Sequence, residues 1–354
     1  RGQLVETSPA QGLAAYDPWE WFLRILCEKY PDAYVPSPPY SDTGVPISGF
    51  AFRLLVALTA DGRWLQFSQT SPHLFRELID VLELGWIWED PELRTAPDFD
   101  TEALRLRFWE LMLEAVRRRT AAEWDEVFRT RPNVWAEPFR TTRDVMDHPQ
   151  MRHNGHVIAV EDPVVGPTEQ LAPFVRMART PGAVRSAAPS LGQHTDAVLE
   201  GLRRGALHRG STPPAGTPPR RALDGVTVLE LGIWYAAPFG AALLADLGAR
   251  VIKLEPLAGE PLRHVLPVAE AGGVKVLQGK ESVAVDLATP DGREIAHRLA
   301  RTADLALVSY RAGAADKLGV DYASLARENP KLVYLNAPGY GIDGPCARKP
   351  AYAP

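Results

Sequence analysis

"LDGVTVLELGIWYAAPFGAALLADLGARVIKLE", from Leu223 to Glu255, decides the fold. Val226, Val228 and Leu229 make a short β-rich run. The segment from Ala237 to Leu247 suits a helix, with Leu243, Leu244 and Leu247 on one face and Gly248 placed to end it. "RVIKLE" then supplies a second strand. Beyond it, "SVAVDL" (Ser282 to Leu287) reads as a third strand, followed by "TPDGREIAHRLARTAD". There Thr289 is the expected N-cap and Pro290 the first helical residue, and Ile295, Leu299 and Ala303 recur at helical spacing. "DLALVSY" and "KLVYLNAPGYG" give two more strands with short helices between them. Strands alternating with helices predict an α/β fold, a Rossmann-like parallel sheet covered on both faces.

Working outward, "GALHRGSTPPAGTPPR" (Gly205 to Arg220) precedes this domain, and its prolines, glycines and hydroxyl residues suit an extended linker. Residues 1–204 read differently, as a helix-rich α+β region. "SPHLFRELIDVLEL" places Leu74, Phe75, Leu78, Ile79 and Leu82 on one helical stripe. A longer helix is expected from Glu102 to Arg118, with Leu104, Phe108, Leu111 and Ala115 inward. Thr120 and Glu123 make a capping-box pair. "HVIAVEDP" and "LAPFVRMA" read as strands, and "HTDAVLEGL" as a terminal helix stopped by Gly205.

The chain's 354 residues suit two domains, and 45% hydrophobic against 23% charged residues is an ordinary globular balance. A net charge of -5 argues against a general nucleic-acid binder. Cys27 and Cys346 have no CxxC partner, so neither a zinc site nor a disulfide framework is expected, and reduced thiols in a cytoplasmic protein fit better. The longest uncharged apolar stretch, Leu231 to Ala245, is shorter than the roughly 18 residues that suggest a membrane span. No basic-then-apolar leader opens the sequence, and Arg rather than Met at position 1 suggests a longer product.

Glu255 ends the second strand where a ribose-binding acid would sit in a nicotinamide enzyme. The first turn, "LGIWYAAPFG", has no GxGxxG, and Trp234 and Tyr235 stand where a backbone would approach a pyrophosphate. NAD is therefore not expected, and no P-loop is present. His148, His153 and His156 lie in the polar stretch "DHPQMRHNGH", which reads as a surface loop rather than a metal site. Ser71 and Ser190 sit in no nucleophile elbow, and Trp19, Trp21, Trp86 and Trp88 alternate in the manner of core or interface strands. From the residues alone, nothing is nominated as catalytic.

The stretch from Leu223 to Glu255, "SVAVDLATPDGREIAHRLARTADLALVSYRAGAADKLGVDYASLARENPKLVYLNAPGYGIDGP" and the closing "RKPAYAP" resemble the N-terminal domain of the family III CoA-transferases. This CaiB/BaiF family includes formyl-CoA transferases and α-methylacyl-CoA racemases. "RGQLVETS", "LTADGRWLQFS", "DPEL", "RTAAEWDEVF", "DHPQMRHNGHV" and "RTPGAVRSAAPSLGQHTDAVLEGL" resemble the same family's later portion. The resemblance implies the tail of one unit (1–204), a linker (205–222) and the head of a second (223–354), either a window on a tandem protein or a circular permutation. It also implies that the family's catalytic aspartate belongs to the stretch between the "AYAP" end and the "RGQ" start, so no residue here is assigned that role.

In the family, that carboxylate attacks an acyl-CoA thioester, and an aspartyl-CoA intermediate then passes coenzyme A to a carboxylic acid. By resemblance, Trp234, Tyr235 and Ala236 hold the CoA chain through backbone contacts. Arg263 lies near its phosphates, or is an ordinary solvated charge, and Val285 lines the adenine pocket or simply packs the sheet. Ser309, Tyr310 and Arg311 match a family Asn-Phe-Arg, although "SYRAG" departs from the Asn and the following Pro; Tyr310 has the same packing alternative. Lys317 replaces a common Arg, able to neutralise a phosphate but not to make a bidentate contact, or else is a solvated charge. "PYSDTGVPISGF" stands where a glycine-rich catalytic segment is expected and departs from it.

The resemblance thus implies acyl-CoA and carboxylate substrates and self-association with another CoA-transferase unit; on the charge, spacing and apolar runs above, no metal, nucleic acid or membrane partner is expected. A non-catalytic CoA-binding or scaffold subunit, or an acyl-CoA racemase on the same fold, stands as the alternative.

Overall fold

The computed structural model describes residues 8, 27–32, 39–173, 175–204, 221–264 and 276–349. The proline-rich stretch 205–220 (with Gly205), Trp19, Trp21 and the closing "AYAP" fall outside them. The described residues form two compact units, one from 140–204 and one joining 39–139 with 221–349.

The larger unit begins with an antiparallel sheet, order β1 (Val56–Leu58), β2 (Trp64–Phe67), β3 (Ala136–Pro138). Three helices accompany it, Pro72–Val81, Glu102–Arg117 and Ala121–Thr130. The expected stripe on the first is buried throughout, Leu74, Phe75, Leu78, Ile79 and the following Leu82. On the second, Phe108, Met112, Ala115 and Val116 are buried, while Leu104 and Leu111 only flank the core. The Thr120–Glu123 capping box forms with both reciprocal bonds. The centre is aromatic: Phe67 packs edge-on against Trp124 with centroids 5.3 Å apart, and Trp124 Nε1 donates to the Val116 carbonyl at 3.1 Å. Trp86 and Trp88 lie in a 3₁₀ turn, Gly85–Trp88, not in a strand. A four-residue turn places a tryptophan pair at i and i+2 as readily as a strand does, so alternation alone misleads here.

The smaller unit holds an antiparallel hairpin, β4 (Val157–Asp162) with β5 (Gly166–Leu171). The second strand therefore precedes "APFVRMA": Gly166 at φ 80° closes the hairpin early, and the ladder is complete at Leu171. His148 is no loop residue. It is buried, and its Nδ1 accepts from the Gln150 amide as N-cap of the helix Pro149–His153. Gln150, fully buried, donates to Asn154 at 2.9 Å. The helix Thr195–Arg203 forms as expected.

Residues 221–349 build the five-stranded sheet, β6 (Thr227–Leu231), β7 (Arg250–Glu255), β8 (Lys280–Ala284), β9 (Leu305–Val308) and β10 (Val333–Asn336). All pairings are parallel and the order is β10-β9-β6-β7-β8. This is an α/β fold. The chain moves outward from β6 through β7 to β8, then returns to β9 on the other side of β6. The β6–β9 border is thus the topological switch point, and ligands of open α/β sheets bind outside the strand carboxyl ends at such a border.

Two helix faces differ from expectation. On Ala236–Asp246 the buried residues are Ala237, Pro238, Ala241 and Ala242, whereas Leu243 and Leu247 are exposed. Small side chains let the helix axis approach the sheet closely, so the alanine face turns inward despite the leucines' greater hydrophobicity. On Pro290–Ala300, which keeps its Thr289 cap, Ala296 and Ala300 are buried and Ile295 is exposed, a rotation of one residue for the same reason. The third strand runs Lys280–Ala284 rather than Ser282–Leu287, because β7 supplies partners only for that register.

Candidate functional site

The first βα loop, Gly232 to Tyr235, leaves β6 at the switch point. A side chain on Gly232 would meet Pro238 Cδ at 3.1 Å and Ala237 Cβ at 3.2 Å, so close packing of helix on strand requires glycine. Trp234 takes φ 64°, a left-handed conformation unusual for a bulky residue. Two contacts hold that kink. The Ile233 amide donates to Ser309 Oγ at 3.2 Å, reaching across to the residue that follows β9. The Trp234 amide donates to Glu260 Oε1 at 2.7 Å. Tyr235 stacks on Phe239, centroids 5.6 Å apart, and its side chain does not cap the first turn of the helix that Ala236 begins.

Beneath the loop lies a group of buried charges. Glu230 and Lys253 are register partners on β6 and β7, and their side chains meet at 2.8 Å. Lys253 Nζ also donates to the Gly232 carbonyl at 2.7 Å and stands 2.9 Å from Glu260 Oε2. That last oxygen is buried and makes an ion pair without a hydrogen bond. Lys280 pairs with the other Glu230 oxygen and donates to the Pro238 carbonyl at 2.7 Å. Burial pushes the Lys280 ammonium below its ordinary pKa, against the pull of Glu230.

Glu255, where a ribose-binding acid would stand, is committed elsewhere. Arg263 grips it with two bonds of 2.7 and 2.8 Å, Ser282 Oγ donates at 2.6 Å and the Glu260 amide at 2.7 Å. Burial alone would raise this carboxyl, but the donors outweigh it and hold the pKa at about 2.

The structure brings Trp234, Tyr235, Ala236 and Ser309 together at the switch point. Tyr310 follows Ser309, and burial raises its phenol to about 12. Arg311 is partly buried and reaches Asn133 Oδ1 at 3.4 Å. Val285 sits in the apolar cluster with Leu254 and Leu287. Arg263 spends its planar fork on Glu255, and Lys317 is exposed on the short helix Ala314–Leu318. Sequence reasoning passed over Glu230, Lys253, Glu260, Lys280 and Ser282. For the central pair the signal was there: "VLELG" sets Glu230 and "VIKLE" sets Lys253 inside an apolar strand, and a buried charge requires a partner.

The five-stranded parallel sheet with helices packed against it, and a kinked βα loop at its switch point, define an α/β protein of the open-sheet class. Comparison with known proteins makes this specific. The family model described as CoA-transferase family III matches residues 2–195 and 223–354, and the chain belongs to that family. It is 38% identical over 138 residues to an acetyl-CoA:oxalate CoA-transferase of Acetobacter aceti, covering 38% of this chain and 36% of that protein. It is 34% identical over 143 residues to the beta subunit of a succinyl-CoA–L-malate CoA-transferase of Chloroflexus aurantiacus, covering 39% and 35%. A crystal structure of a CaiB/BaiF family protein from Brucella suis is similar at 35% identity and a TM-score of 0.34, over 37% of each chain. The chain thus spans about a third of the length of the relatives it matches. Among the described residues no group of His, Cys, Asp and Glu is arranged to hold a metal ion, and no helix is long and apolar enough to cross a membrane.

Proposed function

We propose that the Gly232–Tyr235 loop docks the thioester arm of an acyl-CoA, and that the protein moves coenzyme A from an acyl-CoA to a carboxylic acid. The observation that carries the reading is the loop itself. It leaves the switch point without a pyrophosphate-binding glycine pattern, and its amides are fixed by Glu260 and Ser309. The start of the Ala236–Asp246 helix adds a positive dipole end that favours an anionic or carbonyl ligand. The CoA-transferases named above support the reaction class.

The geometry supports the following residue roles. The backbone of Trp234, Tyr235 and Ala236 binds and orients the chain of the ligand. Ser309 holds the loop, and Tyr310 and Arg311 stand beside it on the β9 side. Lys317, exposed, is available to a phosphate, while Arg263 reaches one only by sharing its grip on Glu255. Val285 contributes apolar packing toward an adenine. The domain reading, a tail at 1–204, a linker at 205–222 and a head at 223–354, is supported by the interruption of the family match between 195 and 223. Pairing with another CoA-transferase unit is supported by relatives named as alpha and beta subunits.

A specific observation favours a second reading, a CoA-binding subunit without its own nucleophile. The three acids under the loop, Glu230, Glu255 and Glu260, are all buried and ion-paired, so none is poised to attack a thioester. Calorimetric titration with coenzyme A, followed by an exchange assay with labelled carboxylic acids and acyl-CoA donors, separates the two. Binding with exchange supports the transferase, and binding without exchange the subunit. Absence of binding contradicts both.

A further inference from the structure

Nothing in the docking reading requires two glutamates and two lysines to be buried under one loop. Unpaired, each charge would cost several kcal/mol to bury, and even well-paired buried charges seldom stabilise a fold more than apolar residues would. Their geometry indicates another purpose. Each of the two lysines spends one donor on a backbone carbonyl of the loop or of the helix after it, Lys253 on Gly232 and Lys280 on Pro238. Glu260 takes the one amide, Trp234, whose residue is in the left-handed region. The carbonyl before the kink and the amide at its centre are thus held by opposite charges that themselves sit 2.9 Å apart.

We infer that Lys253 and Glu260 are positioning residues for coenzyme A: their ion pair sets the backbone of Gly232 to Ala236 in the geometry that receives the ligand's chain. The inference rests on the docking reading above. Glu230 and Lys280 brace the pair from β6 and β8, and Glu255 and Arg263 fix the turn that carries Glu260 through its amide. With the clamp intact, Trp234 pays its conformational strain before the ligand arrives, and less ordering remains to be done on binding. Without the charge on Glu260 the Trp234 amide keeps at most a neutral acceptor, and the Lys253 ammonium loses a counter-charge.

Glu260→Gln is the first variant, because it alters charge and not shape. Glu260→Asp is the second, keeping the charge but withdrawing it from the Trp234 amide. Val251→Ala, in the apolar core of β7 and away from the loop, serves as a destabilised control. Coenzyme A is titrated into each folded protein, and backbone amide exchange is followed without ligand. We expect Glu260→Gln and Glu260→Asp to bind coenzyme A about tenfold or more weakly, the loss associated with a charge-assisted hydrogen bond. Exchange should speed up in the peptide covering 232–236 while β6 and β7 stay protected, and Val251→Ala should bind like wild type. Faster exchange together with unchanged affinity overturns the positioning role, as does unchanged exchange at 232–236. A wild-type protein that does not bind coenzyme A overturns the docking reading instead, and exchange at 232–236 still reports whether the clamp exists.

Discussion

Two interiors within one unit are held together by opposite means. Around β1–β3 the core is dry and aromatic, Phe52, Phe67, Phe108, Trp124 and Phe128 meeting ring to ring at 5.3 to 6.2 Å. Under the first βα loop of the parallel sheet, the interior is ionic, with Glu230, Lys253, Glu260 and Lys280 almost wholly buried. Aromatic packing tolerates any partner of the right shape and stabilises a fold. Buried ion pairs contribute little net stability but fix the direction of every donor and acceptor. The difference places precision at the strand ends and stability elsewhere, which suits a region that binds.

The contrast can be broken by substitution. Lys253→Met leaves the Glu230 and Glu260 carboxylates without their shared cation, and we expect a loss of about 3–5 kcal/mol in urea denaturation, with an unchanged m-value. Trp124→Ala opens a cavity in the aromatic core and removes the indole's bond to the Val116 carbonyl, for a loss of similar size, about 3–5 kcal/mol. The two should part in binding: at temperatures where both are folded, only the lysine variant should lose coenzyme A.

Acid sharpens the comparison further. The folded pKa of Glu255, at about 2, lies below the value of about 4.3 for an unfolded glutamate, so its ionised form favours the folded state. The stability it contributes is complete above about pH 4.3 and disappears as pH falls toward 2. Denaturation midpoints measured down through that window should fall in the wild type and flatten in Glu255→Gln. Trp124→Ala should retain the wild-type slope, since Glu255 is untouched and Arg119, which lies over the Trp124 ring, stays charged throughout this window.

The smallest effect is expected at Leu247. The leucine is exposed, so Leu247→Ser should shift stability by no more than about 0.5 kcal/mol. A larger loss would restore the leucine face as the buried one.

That last case shows what the sequence allowed to be read. The parallel α/β order was legible because apolar strands alternate with capped helices, and the Thr120 and Thr289 caps fell where hydroxyl and carboxylate spacing put them. Helix faces were less legible. Hydrophobicity points to Leu243 and Leu247, but approach to a sheet is limited by side-chain size, and Ala241 and Ala242 won. His148 looked like a loop residue because polar neighbours surround it in sequence, whereas its ring is buried by capping a helix. The loop at the candidate site was visible as the absence of a GxGxxG pattern after the first strand. Its support was not, since pairing Glu230 with Lys253 depends on a register that only the sheet provides.

The central claim is that the Gly232–Tyr235 loop receives coenzyme A, and hydrogen exchange with and without the ligand tests it most directly. Protection should rise at 232–236 and beside it at 309–311, with little change in β1–β3 or in residues 140–204. Unchanged exchange at 232–236 in saturating coenzyme A, or protection confined to another part of the chain, would contradict it.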